Sequence, residues 1–235
     1  MTAMPAVAQV GYVGLDYGRV DAGGGDADAF GVTGGAAFQT GSDMRFLVDG
    51  SYFDVNDIDL QTLTATGHLV WDRMDSSWGG FLGLANSDSG GGDTTTWVAG
   101  GEYAHFFTGG TLALSAGAGH NDDADIDLWG VNGEYRIFAS DNLRFDIGGT
   151  WANIDAGAGG DEDGTALGAG VEYRFANSPF SIGANYANID FGGGADADVF
   201  GVTLRLDFGT GSLKDRDRKG NTFGPLGGFG QLLRF

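Results

Sequence analysis

From about Gln9 to Phe208 the chain alternates apolar and polar residues over twelve short segments, and nowhere does it run apolar for the ~20 residues a spanning helix needs. Alternation puts one set of side chains on each face of a strand. A sequence built this way crosses a membrane only as a closed sheet with an apolar outside and a polar inside, because lipid offers no partner to an unpaired backbone amide. A soluble β-sandwich also alternates, but its polar face meets water and carries many Lys. Here the first Lys is Lys214.

The rhythm predicts strands at Gln9–Val20, Ala29–Gln39, Met44–Val55, Asp59–Trp71, Ser77–Ser87, Thr94–Phe107, Thr111–His120, Ile126–Ala139, Leu143–Ile154, Thr165–Phe175, Phe180–Asp190 and Asp198–Phe208. Connections alternate between acidic, Gly-rich loops such as Asp21–Asp28 and Asp155–Gly164 and tight turns such as Thr40–Asp43 and Ser140–Asn142. Tyr17–Val32, Trp151–Gly168 and Tyr186–Val202 are copies of one strand–loop–strand unit, as expected of hairpins duplicated around a barrel. Residues 1–8 hold Ala6-Val7-Ala8, which has the form of a signal-peptidase site, and read as a signal remnant or flexible N-terminus. Residues 9–208 form the barrel, and 209–235 a basic, Gly-rich tail, periplasmic or plug, with a flexible extension as the first expectation.

Parity separates the faces. One face reads Leu63, Ala65, Gly67, Leu69, Trp71 in the fourth segment and Phe200, Val202, Leu204, Leu206, Phe208 in the last, and all five Trp share it near strand ends, as an interfacial belt would. The other face reads Thr62, Thr64, Thr66, His68 and, further on, Asn132, Glu134, Arg136. Small polar residues suit a lumen with limited room. The net charge of −20 excludes nucleic acid as a partner, since phosphate binding needs a basic surface. Without Cys there is no disulfide or thiolate chemistry, and Gly without a three-residue period excludes collagen.

The chain therefore resembles bacterial outer-membrane β-barrels of the small porin-like kind. The resemblance covers about Gln9 to Phe208 and includes a short motif, Gly201, Leu204, Leu206 and Phe208, which looks like the terminal signal read by the barrel-assembly machinery. In that family the aromatic residue usually ends the chain, whereas here a tail follows whose own end, Gly230, Leu233 and Phe235, fits the same pattern. The resemblance implies an all-β, up-and-down antiparallel transmembrane barrel of about 12 strands in the bacterial outer membrane, with both termini periplasmic. Its implied partners are lipid and lipopolysaccharide, the assembly machinery, and a homo-oligomer or a periplasmic partner for the tail.

Three constellations could carry chemistry. Arg45, Arg136, Arg144, Arg174 and Arg205 share lumen parity near the tight turns. Each has an acid two or four residues away on its own strand, respectively Asp49, Glu134, Asp146, Glu172 and Asp207, and Glu102 adds another. Charged rings set ion selectivity, and the same residues also read as a salt-bridged filling of a narrow barrel. Second, Asp26/Asp28, Asp57/Asp59, Asp125/Asp127, Asp161/Asp163 and Asp196/Asp198 put paired carboxylates on the acidic loops, where Ca2+ or Mg2+ is the one candidate ion for a chain otherwise expected to need no cofactor. Third, His120 beside Asp122 and Asp123 is the nearest approach to catalytic residues and has no flanking signature. The expected function is a porin-like channel for passive diffusion of small solutes, weakly cation-favouring, or a structural membrane protein. The alternative is a surface interaction protein acting through its acidic loops, and no enzymatic activity is expected.

Overall fold

A computed structural model describes residues 10–23, 25–40, 43–56, 60–90, 92–155, 157, 160–192, 196–220, 222–226 and 228. The twelve strands are β1 (Val10–Ala22), β2 (Gly25–Gln39), β3 (Met44–Val55), β4 (Leu60–Asp72), β5 (Ser76–Ser89), β6 (Gly92–Phe107), β7 (Gly110–Asn121), β8 (Ile126–Ser140), β9 (Leu143–Asp155), β10 (Asp161–Arg174), β11 (Phe180–Asp190) and β12 (Asp196–Phe208), followed by one helix, α1 (Leu213–Lys219). Every strand pairs antiparallel with its sequence neighbours, and β12 returns to β1 to close a barrel. The seam runs from Gly11↔Phe208 to Ala22↔Ala197, so the two ends of the ladder are paired along the full length of β1. Closure matters because each unpaired amide in hydrocarbon costs several kcal/mol. Among the described residues no helix is long and apolar enough to cross a membrane; the strands, 11 to 16 residues each, are the elements that can.

The predicted faces hold. Val13, Leu15, Val32, Leu63, Leu84, Val131, Ile147, Leu167, Ile182, Val202 and Leu204 are exposed on the outside, while Thr62, Thr64, Thr66, His68, Glu134, Arg136 and Arg174 are turned inward. Aromatic residues form two girdles at opposite ends. At the end that carries the chain termini Trp71 stacks on Trp78 at 5.0 Å. At the other end Trp129 meets Trp151 edge-on at 4.8 Å, with Trp97 nearby in sequence register beside His120.

Two expectations change. The acidic loops are mostly strand. β1 continues to Ala22 and β2 begins at Gly25, and β5, β6, β10 and β12 lengthen likewise, so Asp26, Asp28, Asp161, Asp163 and Asp196 join Asp127 and Asp198, already expected in strands, at strand ends and point outward above the girdle. Tight reversals make this feasible: Gly23 and Gly192 take positive φ (59° and 79°), conformations that cost glycine little. Asp57 and Asp59 lie outside the described residues, as do Gln9 and the tail's Gly230, Leu233 and Phe235. The inside is also not polar throughout. Toward the acidic end the inward positions are Val20, Ala29, Val55, Leu128, Ala152, Ala166 and Ile189, all buried; there neighbouring strands pack small apolar side chains against each other, as in the cluster of Ala152, Ala166 and Ile189 with Phe191 and Val199.

Leu167 lies midway along β10 with 65% of its surface exposed. Leu167→Arg is expected to destabilise the barrel in lipid vesicles by about 2–4 kcal/mol, the cost of a cation at the bilayer midplane, in reversible denaturant unfolding. A loss below 1 kcal/mol would place this face outside the hydrocarbon.

Candidate functional site

The described residues after Phe208 do not extend away from the barrel. Ser212 caps α1 by accepting from the Asp215 amide at 3.0 Å, and Lys219 donates to Asp215 at 2.8 Å. The Lys219 bond, and after it the Ser212 hydroxyl donating to the Asp215 carboxylate at 3.1 Å, hold that carboxyl below its ordinary range. Lys214 N–H donates to the Asp141 carbonyl (3.1 Å) in the β8–β9 turn, and Arg45 on β3 donates to the Gly220 carbonyl (2.8 Å). The helix thus lies across the terminal mouth. Beyond it the chain climbs inside the barrel along the β3–β6 wall. Phe223 packs with Val10, Ala37, Leu47, Val70 and Ala104. Leu226 packs with Phe81, Ala85, Val98 and Leu128, and its amide donates to Thr66 Oγ1 at 2.9 Å. Gly83 faces this approach; a Cβ there would collide with the Leu226 side chain. The expectation of a flexible tail gives way because Leu213, Phe223 and Leu226 are apolar enough to bury, and Gly220 and Gly228 let the backbone come close to Val10 and Asn132.

Opposite that wall stands the charged girdle. Arg136 on β8 grips Glu134 with two hydrogen bonds (2.8 and 2.6 Å), and Arg144 on β9 donates to Asp146 (3.0 Å), so these two same-strand pairs form as expected. The other three do not. Arg45 binds Asp72 of β4 bidentately (2.6 and 2.8 Å) instead of Asp49. Arg174 reaches Asp207 at 3.8 Å and the backbone of Ser178 and Thr210, while Arg205 reaches Glu172 at 3.8 Å and lies over the Tyr12 ring. Asp72 lies diagonally across the β3–β4 ladder from Arg45, and β11 separates β10 from β12, so the long arginine side chains reach acids one or two strands away.

The tail supplies the best partners. Arg216, 3% exposed, donates to Glu172 (3.0 and 2.5 Å) and to Asp207 (2.9 and 3.0 Å). Asp217, 2% exposed, accepts from Arg136 (2.6 Å) and Thr111 (2.6 Å). Sequence reasoning left both residues out of the site, along with Asp72 and Thr111. The signal was present as the alternation Lys214-Asp215-Arg216-Asp217-Arg218-Lys219, which mirrors the alternating charges of the wall.

His68 forms a second buried cluster. Its Nε2 lies 2.8 Å from Asp49 and its Nδ1 3.0 Å from Glu102, and both ring nitrogens donate only in the imidazolium form. Phe223 stacks on the ring at 6.4 Å with 16° between planes. Asp49 and Glu102, placed by parity on the lumen wall, therefore serve the β3–β6 side on which the tail rests.

A cleft of about 440 Å³ lies at the terminal mouth beside Arg45, Asp72, Phe106, Arg218 and Lys219. Further space follows the glycine-rich wall, where a cavity of about 200 Å³ lies between β7–β11 and the tail, bounded by Asn132, Glu134, Asp146, Asn185, Phe223 and Pro225. Asn185 also borders a space of about 100 Å³ nearer the acidic end, walled by Val20, Phe53, Val55, Ile189 and Val199. Arg136, which holds Asp217, borders the 200 Å³ cavity.

On the outer rim the register sets carboxylates opposite one another in rows: Asp26, Asp21 and Asp198 across β2, β1 and β12, and Asp127, Asp155 and Asp161 across β8, β9 and β10. Among the described residues no three His, Asp or Glu side chains gather to hold a metal ion. Asp125, at the β7–β8 turn, has positive φ (52°). His120 contacts Asp127 (2.8 Å) and Asp122 (3.3 Å) on the same rim. Gly201, Leu204, Leu206 and Phe208 all lie on the closing strand β12, where the Asn185 side chain covers Gly201.

A closed antiparallel barrel with a lipid-facing band, two aromatic girdles and charge enclosed inside defines an outer-membrane channel fold. The chain belongs to the Gram-negative porin family, whose sequence profile matches residues 63–211, from β4 to just beyond β12. It is a protein of the bacterial outer membrane, in contact with its lipid and lipopolysaccharide. Solved structures with the same fold include an outer-membrane channel from Pseudomonas putida F1 (12% identity, 88% of this chain and 97% of that one, TM-score 0.60). They also include the monoaromatic hydrocarbon channel CymD (9% identity, 86% and 89%, TM-score 0.55) and OmpT, an outer-membrane protein of Vibrio cholerae (12% identity, 88% and 100%, TM-score 0.51). No curated protein matches the chain.

Replacing His68 by Leu leaves Asp49 and Glu102 buried without their shared partner. The loss of stability is expected to be about 3–5 kcal/mol, as for other buried pairs cut on one side, in denaturant unfolding at neutral pH. A loss under 1 kcal/mol would show that the two acids are held by something else.

Proposed function

We propose that this protein is a narrow channel for passive diffusion of small solutes across the outer membrane, held shut at its terminal mouth by its own C-terminal segment. The observation that carries this reading is the seating of Arg216 and Asp217 in the charged girdle, where Arg136, which holds Asp217, borders the cavity that lines the glycine-rich wall. Porin family membership and the channel fold support it. In this reading Arg45, Asp49, Glu102, Glu134, Arg136, Arg144, Asp146, Glu172, Arg174, Arg205 and Asp207 line the route, and the segment Gly201–Phe208 is the assembly signal. The acidic rim faces outward from the cell and the terminal mouth faces the periplasm. The rim concentrates cations, which makes the open channel weakly cation-favouring. The protein is not an enzyme in this reading, since His120 lies on the outer rim between carboxylates and has no nucleophile beside it among the described hydrogen bonds.

Planar bilayers test it. The intact chain is expected to pass little KCl current, and Arg216→Gln combined with Asp217→Asn to raise the mean current at least tenfold. Under a KCl gradient the reversal potential of that variant should sit modestly on the cation side. Absence of current and of liposome swelling in both forms would end the channel reading.

A second role is favoured by the carboxylate rows. Like charges directly opposed across strands repel, and Asp155 faces an acid on each side. Divalent ions shared with lipopolysaccharide phosphates would relieve this. Ca2+ is expected to raise the melting temperature of the barrel in lipopolysaccharide vesicles and to do less in neutral lipid or in Asp155→Asn. Equal shifts in all three would remove the rows from consideration.

A further inference from the structure

The place that Arg216 and Asp217 occupy is built before the tail arrives. Its acidic half is Glu172 and Asp207, both buried, and its basic half is Arg136 with Thr111, both buried. Groups on the barrel brace each half from behind. Ser181 donates to Glu172 at 2.6 Å, and Glu134 holds the Nε and Nη2 of Arg136, which leaves Nη1 for the tail, where it donates to Asp217 (2.6 Å) and to the Thr222 carbonyl (2.7 Å). One guanidinium thereby receives four acceptor contacts within 3.0 Å, and one carboxylate receives two donors at 2.6 Å.

The wall also balances its own charge. Glu134, Asp146, Glu172 and Asp207 stand against Arg136, Arg144, Arg174 and Arg205. The Arg216–Asp217 pair is neutral as a unit, so its departure changes no net charge. Each half keeps a neighbour when it leaves: Arg136 keeps Glu134, Glu172 keeps Arg144 (3.4 Å) and Arg205 (3.8 Å), and Asp207 keeps Arg174 (3.8 Å). A buried site that neither traps nor strands a charge exchanges its occupant at moderate cost. The cavity above reaches Glu134 and Arg136, so a solute in the lumen meets this site from the acidic side.

We propose that the lumen carries a binding site for a small solute that joins a guanidinium to a carboxylate, of the arginine class, and that Arg216 and Asp217 fill this site in cis. The proposal names the solute class of the channel proposed above and rests on that reading for the route of entry. A planar guanidinium matches two carboxylates through its fork of N–H groups, which an ammonium or a neutral urea does not reproduce. A carboxylate on the same molecule is required to satisfy Arg136 and Thr111. Solute and tail compete for one place, so occupancy by the solute also unseats the tail.

The test uses the full chain with Arg216→Ala and Asp217→Ala, which removes both side chains from the site, in detergent micelles. Calorimetric titration with L-arginine should show saturable binding to this variant and binding at least tenfold weaker to the wild type, whose site is filled. Citrulline, which replaces the guanidinium by a urea, and agmatine, which lacks the carboxylate, should each bind the variant at least tenfold more weakly. No saturable arginine binding, or citrulline binding as tightly, overturns the proposal. Faster gel mobility before boiling than after verifies that the variant is a closed barrel; if it is not, the chain with Arg216→Ser and Asp217→Ser is titrated against the same thresholds. Conductance measured in parallel separates the two readings. Arginine binding without current removes the channel and keeps the site, and current without arginine binding does the reverse.

Discussion

Hydrocarbon forms no hydrogen bonds, and every other property of this protein follows from that. A strand placed in lipid must have a partner on both edges, so the ladder has to return to its start. Closure of β12 on β1 then divides all side chains into two populations by parity alone. The outside has to be apolar, and whatever charge the strands carry is forced into one enclosed space. The girdle of arginines and carboxylates is thus as much a product of closure as of any selection for a pore.

Enclosed charge is expensive unless it is paired. The barrel answers with a wall that is neutral in itself and with a tail whose two buried ionic groups cancel. Neutrality on both sides of the contact is what makes it reversible in principle. A cationic tail seated on an acidic wall would be held by the full penalty of separating them, whereas here the wall re-pairs internally. The tail's anchorage comes instead from Phe223 and Leu226 against the β3–β6 side, with His68 and its two carboxylates providing a flat surface for the Phe223 ring. Filling above the mouth is therefore lopsided, with a cavity along the strands whose inward positions are Gly and Ala.

Period-two alternation made the strands, their faces and the closed architecture legible, because parity survives errors of a residue or two at the ends. It also placed Arg136, Glu134, Arg144 and Asp146 correctly with their partners. It did not give the partners of Arg45, Arg174 and Arg205, since those depend on register between strands, which alternation leaves open. Asp72 looked like a turn residue and is the main partner of Arg45. The outer acids looked like loop residues because Asp and Gly are turn formers, and only the hairpin geometry reveals that the ladder runs on through them. The tail was hardest to read. Its Gly content and charge suggested an extension, and the few apolar residues that bury it are spaced by neither helix nor strand periodicity.

The helix begins only a few residues after the last strand ends, and Gly220 at its far end lies against Val10 at the start of the first. The segment that covers the mouth is thus tied to both sides of the seam. The seated cover therefore depends on closure: Lys214 is held by the β8–β9 turn and Gly220 lies against β1, so a chain whose first and last strands stand apart cannot keep both contacts.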